Sequence, residues 1–253
     1  MLFRSTLNPD DRRLDDEALL DALARSDAVV STLGDPFSAE LFRRAKCRAS
    51  IIAHFGVGYD NIDVQAARAL GVVVTNTPGV LTEDTADLAI ALLLASSRRA
   101  SEGERELRAG QWTGWRPTHL LGTRVSGKTL GIVGFGRIGQ AVARRASQGF
   151  GMRVLAWSRS LSDDVAAQHG VVPVTDLDLL LRASDFVSLH VPGTAETRHL
   201  IDAGRLAQLR PHAHLINTAR GNVVDQAALV AALRDGRLAG AGLDVFEIGR
   251  AHV

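Results

Sequence analysis

Short apolar segments alternate with amphipathic segments along nearly the whole chain, and this alternation constrains the fold more than any other feature. Apolar runs such as Ser50–His54 and Thr129–Val133 are typical of buried strands. Between such runs, apolar residues recur at helical spacing, as Leu19, Leu20 and Leu23 do. Strands that alternate with helices indicate parallel sheets joined by helical crossovers, which is an α/β fold.

The composition is that of a globular protein with a substantial core. Of its 253 residues, 46% are hydrophobic and 23% are charged, which excludes disorder and a collagen-like chain. A net charge of +1 gives no indication of nucleic acid or an anionic membrane as a partner. A single cysteine, Cys47, excludes an intramolecular disulfide framework and a cysteine-based zinc site. Without an apolar run of the ~18–20 residues needed to span a membrane, or a signal-peptide pattern, we expect a cytoplasmic protein.

The pattern predicts two α/β domains, residues 1–99 and 100–253, of which the second is a doubly wound sheet. The first has three predicted strands, namely Ala28–Thr32, Ser50–His54 and Val72–Thr75. The second has six, namely Thr129–Val133, Met152–Trp157, Val171–Val174, Phe186–His190, His214–Asn217 and Gly240–Val245. A long helix over Thr82–Arg108 and an extended loop over Gln111–Lys128 are predicted between these two sets of strands.

A glycine-rich turn, Gly134-Phe135-Gly136-Arg137-Ile138-Gly139, follows a predicted strand and opens a helix. In this context the GxGxxG pattern predicts a dinucleotide site. Gly134 permits a tight turn, Gly136 lets a pyrophosphate approach the backbone, and Gly139 lets the helix pack on the strand. The helix N-terminus, which begins with Arg137 and Ile138, would stabilise the phosphates through its free amides.

The next strand ends in Trp157-Ser158-Arg159, where an acidic residue would indicate NAD. Ser158 can instead donate a hydrogen bond to a phosphate, and Arg159 can pair with one. These residues favour NADP(H), with NADPH as the preferred cofactor, although NAD remains possible.

Four sequence blocks together resemble the D-isomer-specific 2-hydroxyacid dehydrogenases, and most closely their glyoxylate/hydroxypyruvate reductase branch. The blocks are Gly56–Asp63, Thr75–Gly79 running into Thr85–Asp87, Gly131–Gly139, and Asn217–Gly221 running to Leu243–Phe246. The resemblance covers roughly residues 15–246. It implies two doubly wound parallel-sheet domains, a Rossmann-type cofactor domain and a flavodoxin-like substrate domain, the latter incomplete here.

The resemblance also implies roles for individual residues. Val57 and Gly58 would offer backbone amides to the substrate carboxylate, and Arg220 would bind the carboxylate and the carbonyl oxygen. The cofactor would be lined by Thr218, Ala219, Asp244 and the segment His190-Val191-Pro192. Residues 111–127 would help to form a homodimer.

Arg220 has support from chemistry as well. Reduction of a 2-keto acid develops negative charge on the carbonyl oxygen, and a fixed cation there lowers the barrier. The planar guanidinium fork also matches a carboxylate, and Arg220 comes just after a predicted strand, where α/β sheets bind ligands.

The chain departs from the family near its end. The family pairs a histidine with a glutamate as general acid, and the glutamate position is Gly249 here, while Glu247 is out of register. His252 lacks the family's Pro-His-x-Gly context. The other histidines are interpreted as packing or satisfied polar residues, and no metal site is predicted. We therefore expect impaired activity in a fragment, a frameshifted product or a naturally shortened relative.

The sequence thus predicts an oxidoreductase that transfers hydride between NADP(H) and a small 2-keto or 2-hydroxy acid of the glyoxylate or hydroxypyruvate type. An NAD-dependent dehydrogenase of another D-2-hydroxy acid is one alternative. A non-catalytic NADP(H)-binding protein is another, because the family's Glu–His pair is missing.

Overall fold

The computed structural model describes residues 4–10 and 12–247. The chain divides into two compact units after Leu81, which is earlier than the predicted boundary after residue 99. The observed boundary lies before the helix that begins at Thr82, because this helix packs against a helix and two strands of the second unit. None of the helices in the described ranges is long and apolar enough to cross a membrane.

The N-terminal unit is a three-stranded parallel sheet with three helices. Its elements are α1 (Asp16–Arg25), β1 (Ala28–Ser31), α2 (Ala39–Arg44), β2 (Ile51–His54), α3 (Val64–Ala69) and β3 (Val73–Thr75), and the strand order is β1-β2-β3. The side chains of Asp15, Ser38 and Asp63 cap the three helices by accepting hydrogen bonds from backbone amides. The strand limits predicted from the sequence hold to within one residue at each end.

The two faces of this sheet differ in burial. One face packs on a core that contains Leu19, Phe42 and Ile52. On the other face Val30 is 74% exposed and Val73 is 57% exposed. Because successive side chains of a strand point to opposite faces, a strand with only one covered face alternates between buried and exposed residues.

The C-terminal unit is a six-stranded parallel sheet between two layers of helices. Its strands are β4 (Thr129–Val133), β5 (Arg153–Trp157), β6 (Val172–Pro173), β7 (Phe186–Leu189), β8 (His214–Asn217) and β9 (Gly240–Leu243). Its helices are α4 (Thr82–Ser97), α5 (Ala100–Arg108), α6 (Arg137–Phe150), α7 (Asp163–Gln168), α8 (Leu177–Ala183), α9 (Ala203–Leu206) and α10 (Gln226–Arg234). The strand order β6-β5-β4-β7-β8-β9 reverses direction at β4, which is the doubly wound arrangement and confirms the predicted fold class.

Apolar cores cover both faces of the larger sheet. Leu180, Val187 and Leu215 belong to one core, together with residues of α8, α9 and α10. Leu130 and Ile132 belong to the other, together with residues of α4, α6 and α7. Strands buried on both faces are mostly apolar, which is why their positions could be predicted closely.

The prediction of one long helix over Thr82–Arg108 is wrong in one respect, because the segment forms two helices. Arg99 lies between α4 and α5 in the left-handed conformation, with φ of 54°. Its guanidinium donates two hydrogen bonds to Glu102 at the start of α5. Neither glycine nor proline occurs at the break, so local sequence carried no signal for it.

Candidate active site

The glycine-rich turn connects β4 to α6. Gly134 has φ of +96°, and a Cβ atom there would lie 2.6 Å from the carbonyl carbon of His190. Residue 134 therefore needs glycine both for its conformation and for its close approach to the neighbouring chain. A Cβ atom at Gly139 would lie 2.3 Å from the carbonyl oxygen of Gly134, so this glycine lets α6 pack against the turn.

Gly136 differs from these two glycines because it faces open space. A Cβ atom there would meet no other atom within 4 Å. Gly136 is also the N-cap residue of α6, and no side chain among the described residues caps this helix. The first intrahelical bond runs from the Gln140 amide to the Gly136 carbonyl, which leaves the preceding helix amides available to an anion. These features fit a bound dinucleotide phosphate.

The strand order brings three of the sequence-predicted segments to the same edge of the sheet. Val133 is the register partner of both Trp157 and Leu189. The residues that follow these three positions are Gly134, Ser158 and His190. They therefore lie side by side at the point where the strand order reverses, which is where doubly wound sheets bind ligands.

At the end of β5, Ser158 is half-buried and Arg159 is exposed. Glu196 lies close enough for the charge of Arg159 to affect its ionisation. A hydrogen bond from Thr194 is the largest cause of the lowered pKa of Glu196, and the positive charge of Arg159 contributes. The charge of a carboxylate thus acts on the arginine that the sequence assigns to a phosphate.

His190 is held between two strands. Its backbone amide donates to the Val133 carbonyl at 2.7 Å, and its Nε2 lies 2.8 Å from the Ser188 hydroxyl. Burial lowers the pKa of His190 from 6.5 to about 4. The imidazole is therefore neutral at physiological pH, which fits a packing role better than that of a proton donor.

At the end of β8, Asn217 shapes the loop that carries Arg220. The Asn217 side chain donates to the Arg220 carbonyl at 2.9 Å and accepts from the Ala219 amide at 3.0 Å. Gly193 packs against the aliphatic part of Arg220, since a Cβ atom there would lie 2.8 Å from Arg220 Cγ. The loop and the arginine stem are thus held by neighbours from β8 and from the segment after β7.

Thr218 lies in this loop and is nearly buried. Within the described residues its hydroxyl oxygen is a buried polar atom that has no hydrogen-bond partner. Buried hydroxyls are normally paired, so an unpaired one at a ligand-binding edge fits a polar group supplied by a ligand. Asp244 follows β9, and its amide donates to the Asn217 carbonyl at 3.0 Å.

Val57 and Gly58 lie in the loop that follows β2 in the N-terminal unit, and both are half-buried. Their carbonyl oxygens accept hydrogen bonds from Asn76 and from the ring of His54. The Asn76 contact was not evident from the sequence, because Asn76 follows a different strand.

The structure also contains a histidine–glutamate pair that sequence reasoning missed. His199 Nε2 lies 2.8 Å from Glu247 Oε1, and the Glu247 side chain is only 12% exposed. The His199 amide donates to the Asn222 carbonyl, which places the pair beside the turn after Arg220. The two residues are 48 positions apart, so no local motif could have revealed them. Gly249 and His252, which the sequence analysis considered for the family's acid pair, lie outside the described residues.

The described part of the chain contains no group of three His, Cys, Asp or Glu side chains that could hold a metal ion.

Comparison with known proteins identifies the family. The family model for the NAD binding domain of the D-isomer specific 2-hydroxyacid dehydrogenases matches residues 90–251. The chain belongs to this family. It is therefore an oxidoreductase that acts on a 2-hydroxy or 2-keto acid with a nicotinamide dinucleotide.

Three relatives illustrate the range of this dehydrogenase family. A glyoxylate reductase of Korarchaeum cryptofilum is 53% identical over 232 residues, which are 91% of this chain and 69% of the relative. The structure of a D-lactate dehydrogenase of Aquifex aeolicus, complexed with NAD and lactic acid, is similar with a TM-score of 0.81 and 34% identity, over 90% of this chain and 67% of that one. An acyclic imino acid reductase in complex with NADPH and D-Arg is similar with a TM-score of 0.84 and 29% identity, over 94% and 74% of the two chains.

Proposed function

We propose that this dehydrogenase reduces a small 2-keto acid, glyoxylate or hydroxypyruvate, and that it prefers NADPH. The observation that supports the proposal is that three segments lie together at the edge of the sheet where the strand order reverses. They are the Gly134–Gly139 turn, Ser158-Arg159 and His190-Val191-Pro192. High identity to a curated glyoxylate reductase supports the substrate class.

Different residues of the C-terminal unit bind different parts of the cofactor. The amides of Arg137, Ile138 and Gly139 at the start of α6 bind the pyrophosphate, and the bare backbone of Gly136 lets it approach. Thr218, Ala219, Asp244 and the segment His190-Val191-Pro192 line the rest of the dinucleotide. When bound, NADPH would supply the hydride that reduces the carbonyl carbon of the substrate, and the alkoxide that forms would take its proton from water.

Arg220 acts on the substrate. Its guanidinium binds the carboxylate through two parallel hydrogen bonds and stabilises the negative charge that develops on the carbonyl oxygen. In the N-terminal unit, the amides of Val57 and Gly58 donate to a substrate carboxylate. The test is steady-state turnover of glyoxylate and hydroxypyruvate, followed by the absorbance of NADPH. Arg220→Lys keeps the charge but loses the fork, so we expect most turnover to be lost while NADPH affinity is kept.

Arg237→Lys is the matched control for this substitution, because Arg237 is exposed and pairs with Asp235 at 3.0 Å. It should leave both turnover and NADPH affinity unchanged. An Arg220→Lys variant with near-normal turnover would remove Arg220 from the substrate site.

The preference for NADPH depends on Ser158 and Arg159. Arg159→Ala should weaken NADPH binding about ten- to a hundredfold and leave NADH binding nearly unchanged, because only NADPH carries the extra phosphate. Ser158→Asp should reverse the preference. Equal affinities of the unaltered protein for NADPH and NADH would contradict this part of the proposal.

An NAD-dependent reaction on another D-2-hydroxy acid is the second candidate. Glu196 favours it, because a carboxylate beside Arg159 competes with a phosphate for the guanidinium. Oxidation of D-lactate with NAD, at a rate above that of glyoxylate reduction with NADPH, would select this candidate.

We also propose that the protein is a homodimer. The segment between α5 and β4 presents Trp112, Trp115 and Leu121, which are 54%, 84% and 66% exposed. Exposed large apolar side chains in one segment are typical of an interaction surface. Sedimentation of the unaltered protein and of Trp115→Ser would test this, and a monomeric unaltered protein would contradict it.

A further inference from the structure

Three hydrogen bonds, here called the anchors, hold the backbone of the loop after β2, and the sequence motif of the loop does not predict them. The carbonyl oxygens of Gly56, Val57 and Gly58 all accept hydrogen bonds from other parts of the N-terminal unit. Gly56 accepts from the Thr77 amide at 3.0 Å, Val57 from Asn76 Nδ2 at 2.8 Å, and Gly58 from His54 Nε2 at 2.9 Å.

These anchors decide where the amides of the loop point. The described residues contain no cis peptide bond. In a trans peptide the carbonyl and the following N–H point to opposite sides of the chain. The amides of Val57, Gly58 and Tyr59 therefore point away from Thr77, Asn76 and His54. Within the described residues none of these three amides donates to a protein acceptor, so they are available to a ligand.

His54 is buried and bonded on both sides of its ring. It is 1% exposed, and its Nδ1 lies 2.9 Å from the hydroxyl of Ser31, its register partner in β1. A carbonyl oxygen can only accept, so Nε2 donates to Gly58, while Nδ1 pairs with the Ser31 hydroxyl. A Cβ atom at Gly56 would lie 2.7 Å from His54 Nε2, so the glycine makes room for the ring.

Gly58 is the residue of the loop that most needs such anchors. Glycine has more backbone freedom than any other residue, and its orientation is therefore set by its neighbours. Asn76 holds the peptide plane before Gly58, and His54 holds the plane after it. Together they fix the orientation of two successive peptide planes of the loop.

We propose that His54 and Asn76 are positioning residues for the substrate carboxylate, which they orient through the amides of the Val57–Gly58 loop without touching it. This inference depends on the proposed function, because it assigns the loop to the carboxylate. Backbone amides that bind a carboxylate equally in the ground state and the transition state lower KM and leave kcat unchanged.

The test compares His54→Leu with His54→Gln. Glutamine can place its Nε2 near that of histidine and donate to Gly58, whereas leucine fills the space without donating. We expect KM for glyoxylate to rise about three- to tenfold in His54→Leu, with little change in kcat or NADPH affinity. His54→Gln should restore most of the affinity, and Asn76→Leu should behave as His54→Leu does.

His214→Leu is the matched control. His214 is also a buried histidine bonded at both nitrogens, to Ser96 and to Thr123, but it lies at the opposite end of β8 from Arg220. Its loss should reduce stability and leave KM unchanged. A merely structural His54 would give the same result as His214, and that outcome would overturn the proposal.

A second measurement separates this proposal from the proposed function. Hydrogen exchange of the amides of residues 56–59 needs no substrate and should be faster in His54→Leu than in His54→Gln. If the unaltered protein reduces no 2-keto acid but shows this difference, the anchoring holds and the proposed function fails. If it reduces glyoxylate and His54→Leu changes neither KM nor the exchange, the positioning role is refuted.

Discussion

Alanine at Gly136 should separate cofactor binding from folding. The backbone at Gly136 has φ of −79°, which any residue can adopt, and an added Cβ atom would meet no other atom within 4 Å. The gain from a less flexible unfolded chain, about 0.4–1 kcal/mol, opposes a similar loss because alanine is a poorer N-cap than glycine. We therefore expect the free energy of unfolding to change by less than about 1 kcal/mol, or about 4 °C in Tm.

The same methyl group would occupy the space that a pyrophosphate needs. If the phosphates contact the backbone of this turn, NADPH and NADH should both bind at least about tenfold more weakly to Gly136→Ala, because they share the pyrophosphate. The assay is a fluorescence titration of each cofactor, combined with thermal unfolding in its absence.

Gly139→Ala is the informative counterpart, because its Cβ atom would lie 2.3 Å from the Gly134 carbonyl oxygen. Overpacking against backbone should cost about 1–3 kcal/mol of stability before any cofactor is added. The reasoning is refuted if Gly136→Ala binds NADPH as tightly as the unaltered protein, or if Gly136→Ala is destabilised as much as Gly139→Ala.

Three further predictions concern cofactor choice, pH and packing. Glu196→Gln should tighten NADPH binding about two- to fivefold and leave NADH binding unchanged, because it removes a carboxylate beside Arg159; titration of both cofactors checks this. The pKa of His190 is lower in the folded protein, at about 4, so the unfolded chain binds more protons below pH 6.5 and stability falls as pH drops from about 6.5 to 4. Urea unfolding across that range should show a weaker pH dependence in His190→Gln, and an unchanged dependence would contradict the assignment. Leu180 is fully buried beside Gly131, so Leu180→Ala should cost about 2–5 kcal/mol in urea unfolding, whereas Leu179→Ala, at a 54% exposed position, should cost far less.

The sequence by itself determined the fold class and most of the strands. The limits of Thr129–Val133 and His214–Asn217 were predicted to the residue, because each strand is buried on both faces and has apolar residues between its polar ends or its glycine. The glycine-rich turn could be predicted equally well, since its geometry depends on residues that are adjacent in the chain. Elsewhere the predicted limits of helices and strands differ from the observed limits by a few residues, because helix ends depend on capping contacts.

The tertiary structure alone decided which distant residues meet. Nothing local to Arg98 and Arg99 ends α4; the break lies where the apolar surface that packs on α6, β8 and β9 gives way to a helix with no buried residues. Glu196 lies within electrostatic range of Arg159 only because β5 and β7 both pair with β4.

Long-range hydrogen bonds were equally hidden from the sequence. His199 meets Glu247, Asn76 meets Val57, and Ser31 meets His54 across segments that the chain folding brings together. Periodicity reports which face of an element is buried, but a polar side chain that pairs within the core breaks that periodicity in the same way as one exposed to water. Only the three-dimensional structure therefore distinguishes a buried anchor such as His54 from a surface histidine.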